Sequence, residues 1–151
     1  MKKIHLIALA AAGVLMSGAA MAADQCSVEI TGNDQMKYNL DSITVPASCK
    51  DFTVNLKHVG KVAKASMGHN WVLTTPADKQ AVVTEALKAG PSKDYIPDDA
   101  AKILAHTKLI GGGESTSVTF PVSKLKAGQD YVFFCTFPAH ATLMHGTLTV
   151  K

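Results

Sequence analysis

The stretch "QDYVFFCTFPAHATLMHGTLTVK", residues 129–151, decides the reading. Its first part alternates: Tyr131, Phe133 and Cys135 share one face, as half-buried strands require. Pro138 cannot continue that strand, because it lacks an N–H for the ladder. "HGTLTV" then begins a second strand. Between and around the two strands stand Cys135, His140 and Met144, three side chains that bind soft metals. A strand–loop–strand end of this kind can hold donors in fixed geometry. Taken alone, a cysteine ending an apolar strand is more often a small buried hydrophobe. A lone methionine is more often core filling. The combination of all three at this spacing favours a site.

The rest of the chain agrees with a β-rich domain. "FTVNLKHV" (52–59) alternates, with Phe52, Val54, Leu56 and His58 on one side and Thr53, Asn55 and Lys57 on the other. "NWVLTT" (70–75) and "STSVTFPV" (115–122) are further strand candidates. "GGGES" and "AGQD" mark turns. One segment differs. "TPADKQAVVTEALKAGP" (75–91) offers Thr75 as an N-cap, Pro76 at the first helical position and Gly90-Pro91 as a stop. Val82, Val83, Ala86 and Leu87 form its apolar face. The segment 97–107 fits a helical turn or a strand. The expected fold is all-β, a Greek-key β-sandwich with one inserted helix.

The chain opens as an export signal. Lys2 and Lys3 precede a short apolar run, and Ala20-Met21-Ala22 has the small-x-small pattern of a cleavage site. The expectation is a signal peptide over 1–22, cleaved after Ala22, and one domain over 23–151. No later stretch is long and apolar enough to insert in a membrane. Without Lys2 and Lys3 the 15 basic residues become 13, against 12 acids. That near-neutral balance, with no arginine anywhere, argues against a nucleic-acid partner. Export also makes the cysteines readable. Three in an oxidising compartment favour one disulfide and one free thiol. Cys135 alone has His and Met neighbours at ligand spacing, which leaves Cys26 with Cys49. The count itself leaves other pairings open.

The segment 135–144 supplies three donors, and His69 in "MGHNW" is the best candidate for a fourth. Two imidazoles, a thiolate and a weak thioether suit copper in both oxidation states. At this point the chain resembles the cupredoxins, the family of type 1 blue copper proteins. The resemblance rests on "QCSVEITGNDQM", "SCKDFTVNL", "MGHNWVL", "AHTKLIGGGES", "SVTFPVSKLKAG" and "YVFFCTFPAHATLMHGTLTVK", and covers essentially the whole mature length. The early disulfide and the inserted helix set it apart from plastocyanin-like relatives. The resemblance implies one copper ion held by His69, Cys135 and His140, with Met144 and the backbone carbonyl of Gly68 as weak axial contacts. It implies that Asn70 braces the ligand loops and directs its backbone N–H to the Cys135 sulfur, with the Phe137 N–H placed similarly. It implies an apolar docking patch of Met36, Met67, Leu87, Phe137, Pro138, Ala139 and Leu143 around His140.

The function implied is single-electron transfer by Cu(II)/Cu(I) cycling in the periplasm, not substrate turnover. Partners would be redox proteins such as c-type cytochromes or copper nitrite reductase, met in transient complexes by a monomer. A periplasmic copper carrier or store is the alternative, since the same donors bind Cu(I). A Cys–His hydrolase is disfavoured because no third orienting group is evident. Zinc is disfavoured because methionine is a poor zinc ligand. Among the other histidines, His58 reads as a satisfied, partly buried residue with a possible response to pH. His106 and His145 read as surface residues, and Trp71 as core.

Overall fold

The computed structural model describes residues 25–151; the expected leader and its cleavage site lie outside the described residues. The strands, in chain order, are β1 (Ser27–Asn33), β2 (Lys37–Tyr38), β3 (Ser42–Val45), β4 (Asp51–His58), β5 (Val72–Thr74), β6 (Ala105–His106), β7 (Ser115–Pro121), β8 (Asp130–Phe134) and β9 (His145–Val150). They form two sheets, ordered β2-β1-β4-β7 and β3-β9-β8-β5-β6. The pairs β1–β4 and β3–β9 are parallel, so each sheet is closed by chain segments distant in sequence. Among the described residues no helix is long and apolar enough to cross a membrane.

The alternation read in β4 holds. Phe52, Val54, Leu56 and His58 are buried, while Asp51, Asn55 and Lys57 are exposed. Phe52, Val54 and Leu56 meet Ile30, Trp71, Phe120, Phe133 and Leu148 in one core between the sheets. Trp71 is fully buried and stacks against Phe120 and Phe133, with ring centroids 6.2 and 5.8 Å away. Each such large side chain contributes about 1.5–3 kcal/mol by leaving water. Cys26 and Cys49 are joined, tying the starts of β1 and β4 together across a sequence separation of 23 residues. The loop so closed is worth roughly 3 kcal/mol in the chain-entropy account.

Two α-helices accompany the sheets among the described residues. α1 (Lys64–Met67) is a single turn that buries none of its residues, which is why no apolar period announced it. α2 (Lys79–Ala89) lays Val82 and Ala86 inward. Val82 packs with Val72 and Phe134 in a second, smaller core outside the five-stranded sheet. Its start departs from the sequence expectation. Thr75 is not the N-cap; residues 75–78 form a separate turn. The Thr75 hydroxyl donates to the Asp78 carboxylate at 2.7 Å, and the Asp78 N–H bonds to the Thr75 carbonyl at 3.2 Å. Those groups are used within the turn, so the helix begins three residues later than Pro76 suggested. Its end is as expected: Gly90 takes φ +72 and returns its N–H to the Ala86 carbonyl. The ambiguous segment 97–107 resolves into a turn followed by the two-residue β6.

Candidate metal centre

The β8–β9 hairpin builds most of the site. Its antiparallel register pairs Phe134 with His145, which sets Cys135 across from Met144. The loop is closed by its own backbone. Cys135 N–H donates to the Met144 carbonyl at 3.0 Å, Met144 N–H to the His140 carbonyl at 2.8 Å, and His140 N–H to the Phe137 carbonyl at 3.0 Å. Each donor-bearing residue is thus tied to another part of the same loop.

His69 arrives from a distant segment. β5 pairs with β8, Val72 opposite Phe134, so the residues just before β5 lie beside those just after β8. A two-bond bridge with Ile110 fixes the His69 backbone. Its ring is fixed as well. Nε2 lies 2.9 Å from the Asn33 carbonyl, which can only accept, so the proton sits on Nε2. Nδ1 is left buried and without a hydrogen-bond partner. His140 also turns Nδ1 inward, 3.6 Å from the Cys135 sulfur. The ligand atoms of His69, Cys135 and His140 all lie within 4.8 Å of one another, and all three residues are buried.

Electrostatics favour a metal in this spot. Burial pushes the Cys135 thiol up to about 12, against the opposing pull of the Asn70 and Phe137 backbone N–H groups. Burial lowers His69 to about 4, and burial with the neighbouring His69 and His58 rings lowers His140 to about 4. Both imidazoles are therefore neutral and ready to donate at neutral pH. A cation would take the place of the thiol proton and would satisfy the orphaned Nδ1 of His69. Soft sulfur with two imidazoles is a donor set suited to copper.

Around this cluster, Met144 is fully buried. The Gly68 carbonyl lies 3.9 Å from the Cys135 sulfur. The Asn70 side chain joins the two ligand-bearing segments: Nδ2 donates to the Thr136 hydroxyl at 2.7 Å, and Oδ1 accepts from the Thr136 N–H at 2.9 Å. A third bond reaches the Asp94 carbonyl at 3.0 Å. Of the apolar residues expected around His140, Leu143 is 58% and Leu87 51% exposed; Ala139 is exposed, and Met36, Met67, Phe137 and Pro138 are half-buried. His140 itself is only 2% exposed.

Some features were not legible beforehand. Gly32 leaves room for the site: a β-carbon there would sit 2.7 Å from His69 Cδ2 and 3.1 Å from Met144 Cε. Asn33, Tyr38 and Thr136 act through hydrogen bonds to His69 or Asn70. None carries a sequence signal, because their partners are distant in the chain. His58 needs a correction. It is fully buried rather than partly so, and neither ring nitrogen has a hydrogen-bond partner. Asp34 lies 3.6 Å away, and the His69 ring meets it edge-on at 4.1 Å. Burial lowers its pKa, opposed by the Asp34 carboxylate. The β4 alternation that carried Phe52, Val54 and Leu56 inward carried His58 with them. His106 and His145 are exposed, as expected.

The comparisons agree with this chemistry. Residues 24–151 match the family described as copper binding proteins, plastocyanin/azurin family. The chain is 58% identical over 144 residues to azurin of Pseudomonas aeruginosa, covering 95% of this chain and 97% of that one. It is 52% identical over 148 residues to azurin of Achromobacter denitrificans, covering 97% and 99%. It is 56% identical over 126 residues to azurin of Bordetella pertussis, covering 83% and 84%. A buried His–Cys–His cluster on a two-sheet frame, matched along the whole described chain, places this protein in the plastocyanin/azurin family of copper-binding proteins.

Proposed function

We propose that this chain is a single-electron carrier whose copper would be held by His69, Cys135 and His140, with weaker contacts from Met144 and the Gly68 carbonyl. The observation that carries the reading is the buried donor cluster at the closed end of the β8–β9 hairpin. Bound copper supplies a one-electron couple. The chain's own residues do the rest. Cys135 gives up its proton on binding, and the Asn70 and Phe137 N–H groups stabilise the charge left on sulfur. The Asn33 carbonyl aims His69, and the bonded loop holds His140 and Cys135. Donors held this firmly need little rearrangement when the charge at the site changes.

The apolar rim of Met36, Met67, Leu87, Phe137, Pro138, Ala139 and Leu143 supports a docking face beside His140. A small apolar interface suits brief encounters between redox partners. Partners would be c-type cytochromes or copper nitrite reductase, met by a monomer. The site carries no substrate chemistry in this reading. The working chain is residues 23–151 in the periplasm, after removal of a leader ending at Ala22.

The test is optical. Oxidised, copper-loaded protein should be intensely blue through its Cys135–copper bond and should bleach on reduction; Cys135→Ser should abolish the colour. A colourless wild type with Cu(II) fully bound would refute the assignment. Rapid electron exchange with a cytochrome separates a carrier of electrons from a copper store, which would exchange slowly.

A further inference from the structure

The β5–β8 ladder stops one pair short of where its register would carry it. Val72 lies opposite Phe134, so the next pair with facing backbone groups would be Asn70 and Thr136. The other side of this segment is already taken. The Trp71 N–H bonds to the Thr107 hydroxyl, and the Trp71 carbonyl accepts from the Thr107 N–H, both at 2.9 Å. Backbone groups alternate in direction along an extended chain, so Asn70 turns its own N–H and carbonyl toward the β8 side.

Side chains take the ladder's place. The Thr136 N–H goes to Asn70 Oδ1 at 2.9 Å, and the Asn70 N–H is released toward the Cys135 sulfur. The Asn70 carbonyl is held by Tyr38, at the end of β2, whose hydroxyl donates to it at 2.5 Å. Tyr38 is itself well fixed. It pairs with Gly32 across the β1–β2 hairpin, and its ring packs on Phe133 with centroids 5.8 Å apart. Burial, with the nearby Cys135, raises its pKa well above the ordinary tyrosine value, so the oxygen keeps its proton and donates. Asn70 is fully buried, and its carbonyl needs a partner. Without the Tyr38 hydroxyl, the partner that the register offers is the Thr136 N–H. The ladder would then close by one more pair, and the Asn70 N–H would turn from the sulfur to the Thr136 carbonyl.

We propose that Tyr38 is a positioning residue for the metal centre: by occupying the Asn70 carbonyl, its hydroxyl stops the β5–β8 ladder short and leaves the Asn70 N–H to the Cys135 sulfur. The consequence for the metal rests on the copper reading of Cys135; the hold on Asn70 does not. Hydrogen bonds to a ligand atom tune the metal it binds. One phenol oxygen, on a hairpin outside the segments that carry the donors, thus sets part of the copper–sulfur bond.

The experiment compares wild type with Tyr38→Phe, which removes the oxygen and keeps the ring on Phe133. Amide NMR of the copper-free proteins reads the backbone. The Asn70 and Thr136 N–H resonances should shift in Tyr38→Phe, and a coupling across new Asn70–Thr136 hydrogen bonds should appear that wild type lacks. Copper-loaded protein reads the sulfur. Its Cys135–copper charge-transfer band should move to longer wavelength in Tyr38→Phe, because a sulfur that loses a hydrogen bond gives up its electron more readily. A 4-aminophenylalanine at position 38 restores a donor at the same place and should return both signals toward wild type. A hydroxyl that only stabilised the fold would leave the band unmoved. An unchanged band or an unchanged Asn70 resonance in Tyr38→Phe would overturn the proposal, and so would an amino variant that behaves as Tyr38→Phe does. Failure of wild type to bind copper would remove the copper reading, while the copper-free resonances would still decide whether Tyr38 holds the ladder open.

Discussion

Cys135, His69 and His140 show how one physical cause acts oppositely on different side chains. Burial favours the uncharged form of each. It keeps the thiol protonated and the imidazoles free of a second proton. The two histidines give the copper-free protein a definite pH dependence. Their pKa falls from the ordinary 6.5 to about 4 on folding, so between those values the unfolded chain holds more protons than the folded one. Stability is then fully present above about pH 6.5 and is lost as pH falls through about 4. Urea unfolding of copper-free protein between pH 7 and 4 should show this decline. Copper-loaded protein should resist it over most of that window, because the imidazoles are engaged by metal. A flat profile without copper would contradict the burial argument. Gly32 makes a second residue-scale test. Gly32→Ala drives a β-carbon to 2.7 Å from His69 and 3.1 Å from Met144. It should cost about 1–3 kcal/mol by overpacking and shift the visible spectrum, since the neighbour that yields is His69 of the cluster or the buried Met144 beside it. An unchanged spectrum would mean that the backbone, not His69 or Met144, gives way.

At the scale of elements, the site is a seam between two segments. One is the strand–loop–strand of β8 and β9; the other is the stretch between α1 and β5. Sheet pairing brings them together, and Asn70 joins them through the Thr136 backbone and hydroxyl. Asn70→Ala leaves the buried Thr136 N–H without its partner and frees the Asp94 carbonyl. The expected loss is about 1–3 kcal/mol, from the unmade bonds. Amide exchange at Thr136 and Phe137 should quicken well before the distant strands β3 and β7 are affected. Uniform acceleration throughout the molecule would show that Asn70 supports the whole fold and not the seam. The disulfide works elsewhere, at the start of β1 and β4, so the seam depends on side-chain hydrogen bonds for its local order.

On the scale of the whole molecule, the sandwich separates two ends. The metal centre lies among the loops before β5 and after β8. The disulfide lies with Val122, Leu125 and Val150 around a separate surface hollow. Apolar side chains at the metal end stay exposed, Leu143 the most. If electrons leave past His140, a charge at Leu143 should hinder contact without altering the donors. Leu143→Lys should leave the spectrum near wild type and slow electron self-exchange by roughly tenfold or more, because two like charges must meet across a drying contact. Added salt should restore part of the rate by screening. Lys126→Glu, beside the disulfide end, should change little. Slowing by Lys126→Glu with no effect from Leu143→Lys would place the exchange surface at the other end.

The sequence by itself determined what is local. Alternation announced β4 and β8, glycine with proline ended α2, and the spacing of Cys135 and His140 pointed to the cluster that the fold assembles. These readings succeed because strand period, proline geometry and ligand chemistry act within a few residues. Tertiary structure decided what depends on chain segments meeting. It set His69 beside Cys135 through the β5–β8 register and chose its tautomer through the Asn33 carbonyl. It sealed His58 away without a hydrogen-bond partner, made Gly32 costly to replace by crowding, and held Ala139 in a turn that alanine disfavours. It also moved the start of α2, because Thr75 and Asp78 bonded to each other first. Burial and close approach are properties of the assembled chain, and no residue's neighbours in sequence state what will finally press against it.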